Sequence, residues 1–289
     1  MYLIAGANGL LGNRLAAALE KRKIAWQGTY CRRPAPGLLP LDITDPGSVD
    51  GFFSKSRPEA VFLCANLAGG VDFCQKNPQI GRKFYVDGTK AVAAKAKDAG
   101  AVFVFVSTDY VFDGTKGPYR EDDRSCPLNL YGGLKLEAEE WIKSNLKDYL
   151  IVRTTNIFGW DPQTVTPNYM MQFYRSLKQG NAFNAPSFLW GNPTYAPDLA
   201  EAIFELTEKK ARGLFHVVGS SFINRYDWAV QAAKIFGFDV SLVKEVKEPA
   251  PNMIPRPLRS NLDSSKFRSL YKTPLRDVTQ GLESMRKEF

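Results

Sequence analysis

Histidine is almost missing from this chain: 289 residues contain one, His216. A zinc centre needs several converging ligands, and a Ser-His-Asp relay needs an imidazole held between two partners, so neither is supported and no metal is expected. His216 lies within the apolar run Gly213-Leu-Phe-His-Val-Val218, where a partnered structural histidine is the expected role. Cysteine is scarce as well. Cys31, Cys64, Cys74 and Cys126 form no CxxC pair and read as reduced thiols, Cys64 as part of a core strand. No apolar run approaches the ~20 residues a membrane helix needs, and no charged segment precedes an apolar one at the start. A cytoplasmic protein without membrane partners is therefore expected. The 38 basic residues exceed the 30 acidic ones, giving a formal charge of +8. They are dispersed, with no basic stripe interleaved with aromatics, so nucleic acid is not an expected partner. An anionic cofactor and an anionic substrate would give a basic cleft its use.

The first half of the chain alternates short apolar strands with helical stretches. Strands are predicted near 2–5, 24–30, 60–65, 102–107 and 149–154. That alternation predicts an α/β, Rossmann-type doubly wound parallel sheet with right-handed crossovers. Near Trp160 it breaks into Asp161-Pro-Gln-Thr-Val-Thr-Pro167 and a Tyr/Met/Phe-rich helix. The expected organisation is a dinucleotide-binding domain over 1–157, to which 196–219 returns. A smaller, discontinuous substrate-binding lobe would be built from 158–195 and 220–289. Within it, Pro249-Ala-Pro-Asn-Met-Ile-Pro-Arg-Pro257 reads as an extended loop.

Directly after the first strand comes Gly6-Ala-Asn-Gly-Leu-Leu-Gly12, followed by a helical pattern with Leu11, Leu15, Ala18 and Leu19 on one face. Glycines at such a turn let backbone amides approach a pyrophosphate at the positive end of the helix. The spacing is GxxGxxG rather than the commoner GxGxxG. Gly6, Asn8, Gly9, Leu10, Leu11 and Gly12 are thus the candidate phosphate cradle. The second strand ends in Cys31-Arg32-Arg33. An acidic residue there would suit the ribose of NAD; arginines suit a 2′-phosphate, so NADP(H) is favoured and NAD(H) remains possible. A solvated turn before Pro34 and Pro36 is the plainer alternative for Arg32 and Arg33. Asp42 and Ile43 are placed beside the adenine, and Ala60-Val-Phe-Leu-Cys-Ala65 delivers Ala65, Asn66 and Leu67 to the cofactor edge.

Chemistry is carried by Tyr131-Gly-Gly-Leu-Lys135 and by the strand that ends in Ser107 and Thr108. A tyrosine and a lysine four apart share a helix face. An ammonium near a phenol favours the phenolate and is expected to bring its pKa down towards the working range. Hydroxyls at the carboxyl edge of a parallel sheet meet whatever ligand that edge binds. Together these groups form an acid–base set for interconverting a carbonyl and an alcohol. A surface Tyr/Lys pair is the alternative when no cofactor site lies nearby.

The series GANGLLG, STDYVFDG, YGGLK, RTTNIFG, NPTYAPDLA and RPLRSNLDSSKF runs in this order over most of the chain. It resembles the extended short-chain dehydrogenase/reductases, in particular the dTDP-4-dehydrorhamnose reductase branch. The resemblance implies NAD(P)H-dependent reduction of a nucleotide-linked 4-keto-6-deoxy sugar. It implies that Thr108 polarises the keto oxygen, Tyr131 donates the proton, and Lys135 holds the nicotinamide ribose and tunes Tyr131. Tyr110 would lie near the sugar. Four positions depart from the family pattern. Asn156 replaces an aromatic residue expected to pack on the sugar; Asp87 stands where Asn is common; Ala138 stands where Gly is usual; and Arg14 occupies the place of a metal-binding glutamate. Arg256 is a candidate for the substrate diphosphate, or else an exposed arginine without a role. A sugar-nucleotide epimerase of the same family is an alternative, whereas Asp109-Tyr110 in place of Asp-Glu disfavours a dehydratase. Another alternative is a non-catalytic dinucleotide-binding subunit like the regulatory partner of methionine adenosyltransferase in the same branch. Monomer and homodimer both remain open.

Overall fold

The computed structural model describes residues 1–161, 166–271 and 274–289. Seven strands build its main sheet: β1 (Tyr2–Ala5), β2 (Trp26–Tyr30), β3 (Leu38–Pro40), β4 (Ala60–Leu63), β5 (Val102–Thr108), β6 (Tyr149–Thr154) and β7 (Gly213–His216). Their order is β7-β6-β5-β4-β1-β2-β3, and every neighbouring pair is parallel. Chain direction across the sheet reverses between β1 and β4, the place where such sheets open a crevice at their carboxyl edge.

Burial on both faces explains the continuous apolar runs. In β5, Val102 and Val104 face one core while Phe103 and Phe105 face the other. The first core packs Leu11, Leu15 and Leu19 of the helix Leu10–Lys21 with Leu199, Ile203 and Leu206 of the helix Ala196–Glu208. The second packs Val92 and Ala96 of Thr89–Asp98 with Ala138 and Ile142 of Leu130–Asn145. A third cluster joins Phe158, Met170, Phe173, Trp228, Leu282 and Met285. It belongs to the helices Tyr169–Lys178, Arg225–Phe236 and Val278–Arg286, beside the parallel pair Phe183–Pro186 and Val243–Val246. Phe267 and Leu275 pack instead into the first core.

The sheet departs from expectation at its ends. The second strand begins at Trp26, because Lys23 (φ 57°) turns the chain out of the preceding helix first. The strand from Ala60 ends at Leu63, while β5 extends to Thr108. β3 was not predicted: three residues, two of them exposed, ending in proline, show no periodicity to read. Of the expected break at Asp161–Pro167, positions 162–165 lie outside the described residues. No helix among the described residues is long and apolar enough to cross a membrane.

Candidate active site

β5 ends where the chemistry would be. Its register sets Ser107 opposite Arg153 and Thr108 opposite Thr154 on β6, and the Thr108 hydroxyl accepts from the Tyr110 amide at 3.2 Å. Next to it starts the helix Leu130–Asn145, capped by Asn129, whose Oδ1 accepts from Gly132 N at 3.0 Å. A Cβ on Gly132 would stand 2.1 Å from the Tyr110 carbonyl oxygen. Only glycine lets this helix begin flush against the segment that leaves β5, and that contact brings Tyr131 to Thr108. The Thr108 hydroxyl donates to Asp109 Oδ1 at 3.2 Å and is near enough to the Tyr131 phenol to favour its phenolate. Tyr110 and Tyr85 meet the Tyr131 ring edge-on at centroid distances of 5.9 and 5.2 Å. One turn on, Lys135 is buried, its Nζ donating to the Val106 carbonyl at 2.6 Å and lying 4.1 Å from the Phe105 ring centroid. Thr108, Tyr131 and Lys135 therefore converge.

Electrostatics in this corner differ from the expectation for the tyrosine. Burial, and next Asp109, push the Tyr131 phenol above its ordinary value, with the nearby Thr108 hydroxyl opposing in part. Lys135 does not lower it. The lysine is turned onto Val106 and is itself brought down to about 7 by burial, against the pull of the Glu139 carboxylate. At neutral pH Tyr131 therefore carries its proton, as a weaker acid than a free phenol. Asp109 is fully enclosed and pushed up to about 6 by burial, although Ser260, Thr155 and Thr108 all donate to it.

Behind the corner lies a buried ion pair that the residue pattern did not single out. Arg153 donates to Glu139 through Nε (3.0 Å) and Nη2 (2.6 Å), and Ser107 donates to the same carboxylate at 2.5 Å. Glu139 stands two turns from Tyr131 on the same helix, a spacing that could have signalled it. His216 is buried nearby, with Nδ1 3.1 Å from the Tyr119 carbonyl oxygen; burial and then the Arg153 charge hold it down to about 3. It is structural, as expected.

The glycine turn sits at the same edge. Gly6 has φ +87°, and a Cβ there would lie 2.8 Å from Ala65 backbone; one on Gly12 would lie 2.3 Å from the Gly6 oxygen. Gly9 caps the helix Leu10–Lys21 with no side-chain bond, leaving the first-turn amides at Leu10 and Leu11 without a side-chain acceptor at the cap. Asn8 donates to the Arg33 carbonyl at 2.9 Å, tying this turn to the exposed Arg32 and Arg33. Ala65, Asn66 and Leu67 follow β4 to the edge. Tyr85, inside the π-helical turn Lys83–Gly88, donates to Asn66 Oδ1 at 2.5 Å and accepts from Leu67 N at 3.3 Å. Tyr85 joins the site only through that turn. Two expected adenine contacts are otherwise employed: the Asp42 carboxylate accepts from Thr44 N and Oγ1 at 2.9 and 2.8 Å, and the Ile43 side chain is in the second core.

Across from Tyr131, the side expected to meet substrate is polar. Asn156 has φ 47° and accepts from Arg225 Nη2 at 3.3 Å. Arg256 Nη2 donates to both oxygens of Asp72, at 2.8 and 2.7 Å, and its charge acts on the Tyr110 phenol. It also lines an open cleft of about 490 Å³ between Asp113–Thr115 and the 249–258 loop. Of the other departures, Asp87 is exposed and Ala138 is fully enclosed in the second core. Arg14 is committed within the chain, donating to the Trp160 carbonyl (2.7 Å) and to Glu288 (2.5 Å). Among the described residues no group of three or more His, Cys, Asp or Glu is placed to hold a metal ion.

A parallel sheet with a glycine turn at its switch point, and a Thr-Tyr-Lys set along the same edge, define a short-chain dehydrogenase/reductase-like fold. More narrowly, the chain belongs to the RmlD substrate binding domain family, whose model matches residues 1–289. It is similar to methionine adenosyltransferase 2 subunit beta of Xenopus tropicalis, 29% identical over 285 residues, 95% of this chain and 84% of that protein. Among solved structures it resembles a dTDP-4-dehydrorhamnose reductase of Clostridium acetobutylicum, with TM-score 0.87 and 30% identity, covering 99% of this chain and 98% of the other. The dTDP-4-dehydrorhamnose reductase of Bacillus anthracis, solved in complex with NADP, matches with TM-score 0.89 and 26% identity over 100% and 99% of the two chains.

Proposed function

We propose that the protein is an NAD(P)H-dependent reductase of a nucleotide-linked 4-keto-6-deoxy sugar. The observation that carries this reading is the convergence of Thr108, Tyr131 and Lys135 at the edge that also holds the glycine turn. Gly6 and Gly12 clear a close backbone approach, and the uncapped helix start suits a pyrophosphate. When bound there, the dinucleotide supplies the hydride for the keto carbon. The Thr108 hydroxyl, beside the phenol, polarises the keto oxygen, and Tyr131 gives up its proton to the oxygen as charge develops there. Lys135, one helical turn away with its pKa brought down to about 7, holds the ribose. The third cluster supplies the substrate lobe, from which Phe267 and Leu275 are excluded because they pack into the first core, and Arg32 and Arg33 favour the 2′-phosphate of NADP(H).

The test is NADPH oxidation by the purified protein with dTDP-4-keto-6-deoxyglucose, alone and with a 3,5-epimerase, beside Tyr131→Phe. Consumption that needs Tyr131 is expected; none, with NADPH demonstrably bound, would reject this substrate class. A second reading is favoured by the likeness to methionine adenosyltransferase 2 subunit beta over 95% of the chain: a dinucleotide-binding regulatory subunit. It predicts co-purification with a catalytic partner chain and no Tyr131-dependent turnover.

A further inference from the structure

Arg225 is an arginine in a costly place. It is the first residue of the helix Arg225–Phe236, where a cation opposes the helix dipole. The acidic residue of that first turn, Asp227, is not its partner but accepts from Asn224 Nδ2 at 2.6 Å. Among the described residues no carboxylate pairs with Arg225, whereas Arg256 is forked onto Asp72. The guanidinium is half-buried and positioned by neutral groups alone. Nη2 donates to Asn156 Oδ1 at 3.3 Å, and the charge lies 5.1 Å from the centroid of Tyr169, whose hydroxyl bonds back to the Arg225 carbonyl at 3.0 Å.

Its location is beside the proton donor. Asn156 lies two residues beyond Thr154, the strand partner of Thr108, and the Tyr110 ring stands 5.9 Å from that of Tyr131. Arg225 and Arg256, from two different elements, are close enough that both charges favour the Tyr110 phenolate. A half-buried guanidinium without an internal counter-ion is a receptor for an oxyanion, which it can bind in a bidentate fork. Asn156, through its Oδ1, orients this charge.

We propose that Arg225 is an oxyanion-binding, specificity-determining residue of the substrate site, oriented by Asn156 and Tyr169, and that it grips a phosphate of the nucleotide or a carboxylate on its sugar. This rests on the sugar-nucleotide reading above. The test is calorimetric titration of the NADP⁺-loaded protein with UDP, UDP-glucose, UDP-glucuronate, dTDP and dTDP-glucose. Arg225→Gln is expected to weaken binding by about tenfold or more, with NADP⁺ affinity and melting temperature unchanged. An equal loss for UDP or dTDP and for their sugars identifies the phosphate as the oxyanion. A loss confined to UDP-glucuronate identifies a sugar carboxylate. Arg225→Lys, which keeps the charge and loses the fork, should recover part of the affinity, and Asn156→Ala should lower it in the same ligands. Arg259→Gln, an exposed arginine stacked on Trp190, is the control expected to stay within about twofold. Wild-type-like affinities in both Arg225 variants would overturn the assignment while leaving the reductase reading standing. Failure of wild type to bind any of the five, with NADP⁺ bound, would overturn both.

Discussion

Two regions of this molecule meet at Tyr131 and are built on opposite terms. The inner corner, Thr108, Asp109, Lys135 and Glu139, is held by the register of two central strands and one helix, and each polar group in it is bonded to the chain itself. The outer rim, Asn156, Arg225, Arg256, Arg32 and Arg33, stands on strand ends, a helix start and loops. Its best-placed cation, Arg225, has no counter-charge among the described residues. The inner groups are fixed before any ligand arrives, as acid–base chemistry requires. Of the outer charges, Arg256 is paired with Asp72, while Arg225 meets only neutral groups among the described residues. On the proposed reading, reaction type belongs to the core and choice of ligand to the periphery.

That division can be broken from the inside. Tyr131→Phe removes the proton donor while leaving the ring packed between Tyr85 and Tyr110. Turnover should fall by about 10²–10⁴-fold with little change in NADPH affinity or melting temperature; near-normal turnover would separate the corner from the chemistry. Glu139→Ala strands Arg153 in the core without its counter-ion. A loss of about 3–5 kcal/mol in unfolding free energy is expected from urea titration. A cost under about 1 kcal/mol would mean the corner is held by packing alone.

Asp109 sharpens the comparison through pH. Its folded pKa, about 6, lies above the ordinary carboxylate value near 3.9, so the folded state keeps this proton longer than the unfolded one. Stability from this group is present at low pH and is lost as pH rises from about 4 to about 6, by up to ~1.4 kcal/mol per unit. The difference in unfolding free energy, wild type minus Asp109→Asn, should fall across that window. His216 has the opposite sign. Held at about 3, it makes stability rise with pH from about 3 to about 6.5, and so masks Asp109 in the wild-type curve. A flat difference curve would show that Asp109 is not desolvated as the structure has it.

Legibility in the sequence followed the same line between inside and outside. Tyr131 and Lys135 share a helix face by spacing, and Thr108 ends an unmistakably apolar strand, so their meeting could be read from period and order. The glycine turn was readable for the same reason, and Gly6 and Gly12 turn out to be required by contacts under 3 Å. What could not be read depends on packing between distant segments. The phenol's rise reflects its enclosure, and Lys135 serves Val106, 29 positions away, rather than Tyr131. Tyr85 enters through a π-turn, and Arg225 reaches Asn156 across 69 positions. β3 carried no pattern to find, being short and mostly exposed.

The rim's far end gives the smallest effect and the most direct check on the division. Arg32 and Arg33 are exposed beyond β2, and the backbone of Arg33 is tied to the glycine turn through Asn8. Because that tie uses the Arg33 carbonyl, replacing both side chains by alanine should leave the turn and NADH affinity intact. A 2′-phosphate, in contrast, loses its guanidinium partners, worth about one charge-assisted hydrogen bond in a solvated setting. NADPH should then bind about tenfold more weakly, or ~1.4 kcal/mol, and the loss should shrink with added salt. Equal affinities for NADPH and NADH in the wild type would remove the basis for NADP(H) preference. A parallel loss of both cofactors in the double variant would mean that the arginines shape the turn itself, and the boundary between fixed interior and ligand-selecting rim would have to be drawn further out.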